Sequence, residues 1–367
     1  MGIGFCKDNA PTLDRHDHAD ATATLAHKNE SISRDEDLSK VPPSCSQEQN
    51  IKQTKTTGSK RKSVYSTTIM EELYPMQTMS MSAFMAMDIM ESFAEMNAKG
   101  DVGPTPLAAI VHFISHEWLG CKHADPESSQ LRAMQSAFRK ILAGSAMELF
   151  ALKDWETFSN TSQSSIDHMK RIAHAEAQAR GLKITEDLFQ HDVDQGRVWL
   201  DFCSIPQLMD RSDALKAKAA ATDNLLAVQS IPAYLERCDY FWILAPPAKH
   251  VDKGLTCNFA TWRSRGWCRV EEWGNFLSRR SVPPLIISGS PFLRTVGAID
   301  WMVSICDQAD RAPCYGNFTC CALGHVVELA SGEMLRIRCD KDAIVDIMQG
   351  LFDAKCEHLC AKDDKIM

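Results

Sequence analysis

No apolar run in this 367-residue chain approaches the roughly 18 residues that a membrane-spanning helix needs. No charged segment followed by an apolar stretch and a small-residue cleavage site opens it, so a secretory leader is not expected. Basic charge is not in excess. Lys and Arg number 40 against 48 Asp and Glu, and the net charge of -8 argues against general nucleic-acid binding, which needs a basic face, while leaving room for local basic patches. No internal repeat is visible. Tryptophan is missing before Trp118 and after Trp301, which places the expected main core between them. Residues 1–65 have few large apolar side chains and no sustained period, so a disordered tail is expected there.

What is present fits a globular protein, with 44% hydrophobic and 24% charged residues. The 14 cysteines are spread along the chain without a leader, which suggests a reducing, cytoplasmic setting where most act as small buried hydrophobes. Membrane contact is expected only if the N-terminus is acylated. Gly2 stands where N-myristoylation occurs and Cys6 could take a palmitoyl chain, although the myristoylation motif wants Ser or Thr at the position of Cys6. Lys60-Arg61-Lys62 reads as a solvated linker, with anionic lipid or a nuclear signal as alternatives. Residues 66–104 read as a Met-rich amphipathic helix and linker. The helix, over 78–98, carries Phe84, Met85, Ile89, Met90, Phe93 and Met96 on one stripe, with Gly100 past its end. That stripe suits packing on its own domain, or adaptable binding of a partner.

From 105 to 309 the pattern alternates. Ala108–Ile114, Val198–Phe202, Tyr240–Leu244 and Pro284–Ser288 are short apolar runs of the kind found in strands buried on both faces. Helical patterns lie between them: one starting at Asp125-Pro126 and carrying Leu131, Met134, Phe138 and Ile141, then Ser165–Arg180, Asn224–Cys238 interrupted at Pro232, and one from Trp267 to about Ser278. Val296–Cys306 also reads as helical. The fold expected is α/β, a doubly wound and mostly parallel sheet. Residues 310–367 read as a small ββα appendage, with strands Cys320–Leu329 and Met334–Arg338 and a helix over Asp342–Ala354.

Ligands of open α/β sheets bind at the carboxyl ends of the strands. Here the first strand ends in Ser115-His116-Glu117-Trp118 and the second runs into Asp201-Phe202-Cys203. The loop after the third holds Trp262, Arg263 and Arg265 and leads to Trp267-Cys268-Arg269-Val270-Glu271-Glu272. These segments carry a resemblance. Phe113-Ile114-Ser115-His116, Asp201, Arg237–Ala245 and Trp267-Cys268-x-x-Glu271 resemble, in order, motifs of TIR (Toll/interleukin-1 receptor) domains. Trp199–Gln207 and Arg265-Gly266-Trp267 with Glu271 are also similar to fungal heterokaryon-incompatibility (HET) domains.

The resemblance implies a TIR/flavodoxin-like fold and self-association. Some TIR domains cleave the nicotinamide–ribose bond of NAD, and their catalytic glutamate corresponds to Glu271. In that reading NAD or a related nucleotide is the substrate. A carboxylate stabilises the positive charge that builds on the ribose. Trp118 or Trp267 could stack on a flat ring, Ser115 or His116 could bond the ribose or carboxamide, and Asp201 could bind ligand or order its loop. No cofactor is implied. The alternative is a non-catalytic module that recruits partners, with Glu271 in the first turn of its helix paired to Arg263 or Arg265. The two differ in one respect: catalysis expects Glu271 open to a pocket beside Trp118, and the module expects it paired. Metal binding is not expected, because neither His116/Cys121/His123 nor Cys356/His358/Cys360 has the paired spacing of a zinc site.

Overall fold

Neighbouring side chains on the central strands belong to different cores. Tyr240, Trp242 and Leu244 pack in one hydrophobic cluster, and Phe241 and Ile243 in another. Ile114 likewise joins the first cluster, and Val111 and Phe113 the second. This is the two-residue alternation of a strand buried on both faces.

The computed structural model describes residues 71–161, 184–207, 214–278, 282–289, 292–306, 311–322, 324–328, 334–336 and 339–363. All of these belong to one compact unit. The expected tail over 1–65 and the helix expected over Ser165–Arg180 lie outside the described residues.

In chain order the elements are β1 (Gln77–Ser80), α1 (Met81–Ala86), α2 (Phe93–Lys99), β2 (Val102–Pro104), β3 (Val111–His116), α3 (Ser129–Leu142), α4 (Leu152–Thr161), α5 (Glu186–Asp194), β4 (Arg197–Leu200) and α6 (Asp201–Ser204). Then come α7 (Ala214–Gln229), α8 (Ile231–Arg237), β5 (Tyr240–Leu244), the two-residue strands β6 (Ala248–Lys249) and β7 (Thr256–Cys257), α9 (Phe259–Ser264) and α10 (Gly266–Leu277). The chain continues through β8 (Leu285–Ile287), β9 (Leu293–Thr295), α11 (Ala298–Cys306), α12 (Thr319–Ala322), β10 (Val326–Glu328), β11 (Met334–Arg336) and α13 (Asp340–Asp363).

The main sheet has seven strands in the order β2-β1-β4-β3-β5-β8-β9. Its middle four, β4-β3-β5-β8, are parallel, and they are the four strands the sequence announces. β1 and β2 add an antiparallel pair at one edge and β9 an antiparallel strand at the other. Register is fixed by large side chains: Phe113 pairs with Trp199 and with Phe241, and its ring stacks on Trp199 at 4.1 Å between centroids. One face is covered by α1 to α5 through Phe84, Phe138, Phe158 and Phe189. The other is covered by α8 to α10 through Tyr234, Trp262 and Cys268. The architecture is therefore α/β with a mostly parallel mixed sheet, and it is compatible with a doubly wound fold.

Several expectations are corrected. The single helix over 78–98 is a strand and two helices. Met87 is extended, and each helix has its own start: Ser80 Oγ accepts the Ala83 N–H at 3.1 Å, and Ser92 and Glu95 form a capping box. Capping overrides the apolar period here. Because β1 pairs with β4, residues 71–104 belong to the same sheet as the domain expected from 105 onward. The stripe does face its own core, with Phe84, Met90 and Met96 buried, but Ile89 is exposed. The helix expected at Asp125-Pro126 begins instead at Ser129. Asp125 caps it from outside, accepting from Ser129 N at 3.0 Å and Leu131 N at 2.8 Å. Pro232 restarts the chain as α8 after α7.

The ββα appendage is present, although α12 takes the place of the first strand's start. It is docked rather than separate, because Phe318, Ile344, Ile347 and Leu351 share a third cluster with Val270 and Leu277 of α10. Ten described cysteines are free thiols and Cys121 is disulfide-bonded. Among the described residues no helix is long and apolar enough to cross a membrane.

Candidate functional site

Ser115 and His116 are the last residues of β3, so the pleat sends their side chains to opposite faces. Each meets a different set of partners, and the result is two polar networks back to back rather than one cleft.

On the face of α9 and α10, Ser115 Oγ donates to Glu271 Oε2 at 2.5 Å and accepts from Trp262 Nε1 at 3.1 Å. Glu271 is only 3% exposed. Burial pushes its carboxyl up to about 8, Asp201 adds to the shift, and the Ser115 hydrogen bond opposes it. At neutral pH this side chain is therefore mostly neutral. It is not in the first turn of its helix, since α10 begins at Gly266, so a helix-dipole role does not hold. Nor does it pair with an arginine. Arg263 binds Glu272 at 2.8 Å, and Arg265 donates to Thr319 Oγ1 at 3.0 Å.

On the face of α3, His116 Nε2 lies 2.6 Å from Asp201 Oδ1, and His116 Nδ1 lies 2.8 Å from Gln130 Oε1. Asp201 also accepts from Trp118 Nε1 at 2.9 Å and from the Phe202 N–H at 2.7 Å. Burial would depress the imidazole, but the Asp201 charge and the two hydrogen bonds outweigh it and raise His116 to about 9. Burial works against the charged form of Asp201 too, and His116, Trp118 and the Phe202 amide more than reverse it, leaving the carboxyl below its usual value. A buried imidazolium with both N–H groups donating is the state these partners select. It cannot act as a general base.

A cleft of about 500 Å³ opens beside this second network. Trp118, Phe202, His123, Lys122, Glu95 and Gln207 line it, while Ser115, Glu271 and Trp267 do not. Trp118 stands edge-on to Phe202 at 5.4 Å between centroids. Trp267 joins neither network: it packs between the second and third hydrophobic clusters, its Nε1 donating to Asp340 at 3.0 Å. Cys268 is buried, its thiol raised well above normal by burial and by Glu271, and it points at the His116 carbonyl at 3.5 Å. That is a packed cysteine, not a nucleophile.

The structure thus brings Ser115 to Glu271, and His116 and Trp118 to Asp201, and leaves Trp267 apart. Two partners were not singled out from the sequence. Gln130 is a polar residue in phase with the apolar Met134–Phe138–Ile141 stripe, a signal that its amide needs a buried partner. Trp262, named only as part of a loop, had no such signal.

Of the sequence trio His116/Cys121/His123, His116 is already committed to Asp201 and Gln130, and the side chain of His358 lies outside the described residues. No family model matches this chain, and no curated protein or solved structure shows significant similarity to it.

Proposed function

We propose that this chain is a TIR-like signalling module that works by associating with copies of itself and with partners, and that the Glu271 carboxyl of α10 is a structural element. One observation carries the reading: Glu271 is buried and engaged by Ser115, whose hydroxyl is held in turn by Trp262 Nε1, and burial pushes the carboxyl up to about 8. A carboxylate meant to stabilise a developing ribosyl cation must be ionised and within reach of the sugar. Glu271 in this conformation is neither. The fold supports the same assignment. Strand order β4-β3-β5-β8 is 2-1-3-4 in chain order, the flavodoxin-like sequence of strands, and the motif-bearing segments occupy its carboxyl edge.

A second reading has its own observation. The strand order reverses at β3 and β5, where such sheets bind ligands, and Ser115 and Glu271 meet there. Opening of this pair on self-association would expose Glu271 to water, let it ionise, and free a carboxylate for cleavage of NAD or a related nucleotide. One experiment separates the two. The purified chain is incubated with NAD, dilute and under crowding, and nicotinamide release is followed alongside Glu271→Ala. No release in either condition is expected. Release on crowding that Glu271→Ala abolishes would replace the first reading with the second.

A further inference from the structure

Four potential metal ligands meet in the C-terminal segment, away from both networks at the sheet edge. The ligand atoms of Cys320, Cys321, His325 and Cys339 all lie within 4.8 Å of one another. Cys320 and Cys321 have their sulfurs 4.0 Å apart, and Cys321 and Cys339 theirs 3.7 Å apart. Tetrahedral zinc with Zn–S bonds of about 2.3 Å requires sulfurs roughly 3.8 Å apart. A disulfide requires about 2.05 Å. The spacing is that of thiolates around a common centre.

The backbone is bent to make this group. Gly324 and His325 both have positive φ, 64° and 60°, and His325 is one of two non-glycine residues so described. That turn folds the chain back, with the His325 N–H donating to the Cys320 carbonyl at 2.8 Å and the Gly324 N–H to that of Cys321 at 3.1 Å. A left-handed histidine is uncommon and persists where its surroundings demand it. The ring it delivers is incomplete by itself: Nε2 is buried and has no hydrogen-bond partner. A buried polar nitrogen in that condition is costly, and a metal ion would satisfy it. Around the group, the Asp340 N–H donates to Cys320 Sγ at 3.4 Å, the kind of outer contact that orients a ligating sulfur.

We propose that Cys320, Cys321, His325 and Cys339 form a structural zinc site. Three thiols would bind as thiolates, releasing their protons to solvent, and His325 would bind through the Nε2 lone pair. Four protein ligands fill a tetrahedron, so the site is closed and serves folding rather than catalysis. Its position gives it a task. Cys339 precedes Asp340, which holds Trp267 Nε1 at the start of α10. The metal therefore ties Cys320, Cys321 and His325 to the residue that precedes Asp340, and through Asp340 to the helix that carries Glu271. The sequence hides the site because Cys320-Cys321-x3-His325-x13-Cys339 has no Cys-x2-Cys pair.

The test uses the full chain, purified reduced and without added metal. Elemental analysis is expected to find one zinc per chain. Exchange for Co2+ is expected to give the thiolate-to-cobalt charge-transfer band and intense tetrahedral visible bands. Cys339→Ser should lose the metal, His325→Ala should bind zinc more weakly against a chromophoric chelator, and Cys356→Ser, at an exposed cysteine of α13, should keep it. Folding of each variant is followed by circular dichroism, and Co2+ binding to the wild type does not depend on any variant. A folded, reduced wild type with neither zinc nor a cobalt–thiolate spectrum overturns the proposal. So does peptide mapping that finds Cys321 and Cys339 joined as a disulfide in chains that lack zinc.

Discussion

Ser115 and Glu271 are 156 residues apart in sequence and share a 2.5 Å hydrogen bond inside the protein. The acid in that bond is raised from 4.5 to about 8. Between those two values the unfolded chain has lost a proton that the folded chain retains. Raising the pH therefore favours unfolding, and this contribution is fully spent above about 8. Glu271→Gln keeps an oxygen for Ser115 and removes the titration. Urea unfolding from pH 5 to 8 should show stability falling with pH in the wild type and a shallower fall in the variant. Parallel slopes would mean that Glu271 is ionised throughout.

His116 has the opposite chemistry and the same direction. Its folded value of about 9 exceeds the usual 6.5, so the stability it contributes is complete below 6.5 and disappears as pH rises through 9. The ring should remain doubly protonated at pH 7.5 in an NMR titration of imidazole nitrogens. Asp201, held low, contributes stability above 3.8 that is lost as acid protonates it.

Asp201→Ala leaves the His116 charge buried with Gln130 alone and frees Trp118 Nε1. Breaking a buried pair at one partner costs about 3–5 kcal/mol. The denaturation midpoint should fall accordingly. A loss under about 1 kcal/mol would show that water reaches the ring and screens it.

Gly266 opens α10, and a Cβ there would run into the Phe318 ring, while Gly316 approaches the Gly266 backbone from the same side. Gly266→Ala should push the C-terminal segment off α10 and leave the sheet folded. Limited proteolysis should then cut near 311–340 much faster than in the wild type. Unchanged cleavage would place the segment's anchorage elsewhere.

Phe113→Ala removes the ring between Trp199 and Phe241 at the centre of the sheet. A loss of about 3–5 kcal/mol is expected from the cavity and the forfeited burial. Thermal unfolding should remain a single transition, because β3 touches both cores.

The four parallel strands were legible because each is a compact apolar run: Tyr240–Leu244 has the same bounds in sequence and structure. The flanking antiparallel strands were not. Gln77–Ser80 becomes a strand through Arg197, which holds the Thr78 hydroxyl and carbonyl from 119 residues away, and no local pattern announces such a contact. At the candidate site, order along the chain placed Ser115, His116, Asp201 and Glu271 near one edge. It did not show which face each side chain takes. That follows from strand parity at β3, where an offset of one residue separates the Glu271 network from the Asp201 network.

The antiparallel strands at the rims bear on how copies of this chain could assemble. β2 is three residues long and ends in Pro104, which has no N–H to offer. At the opposite rim, Leu293 of β9 is already engaged by a bridge to Phe150. Both margins are poor templates for an incoming strand. Growth of an assembly by continuous sheet extension is thereby disfavoured, and any self-association of the kind proposed would have to use helical flanks and loops, which can be mutated without touching the strands.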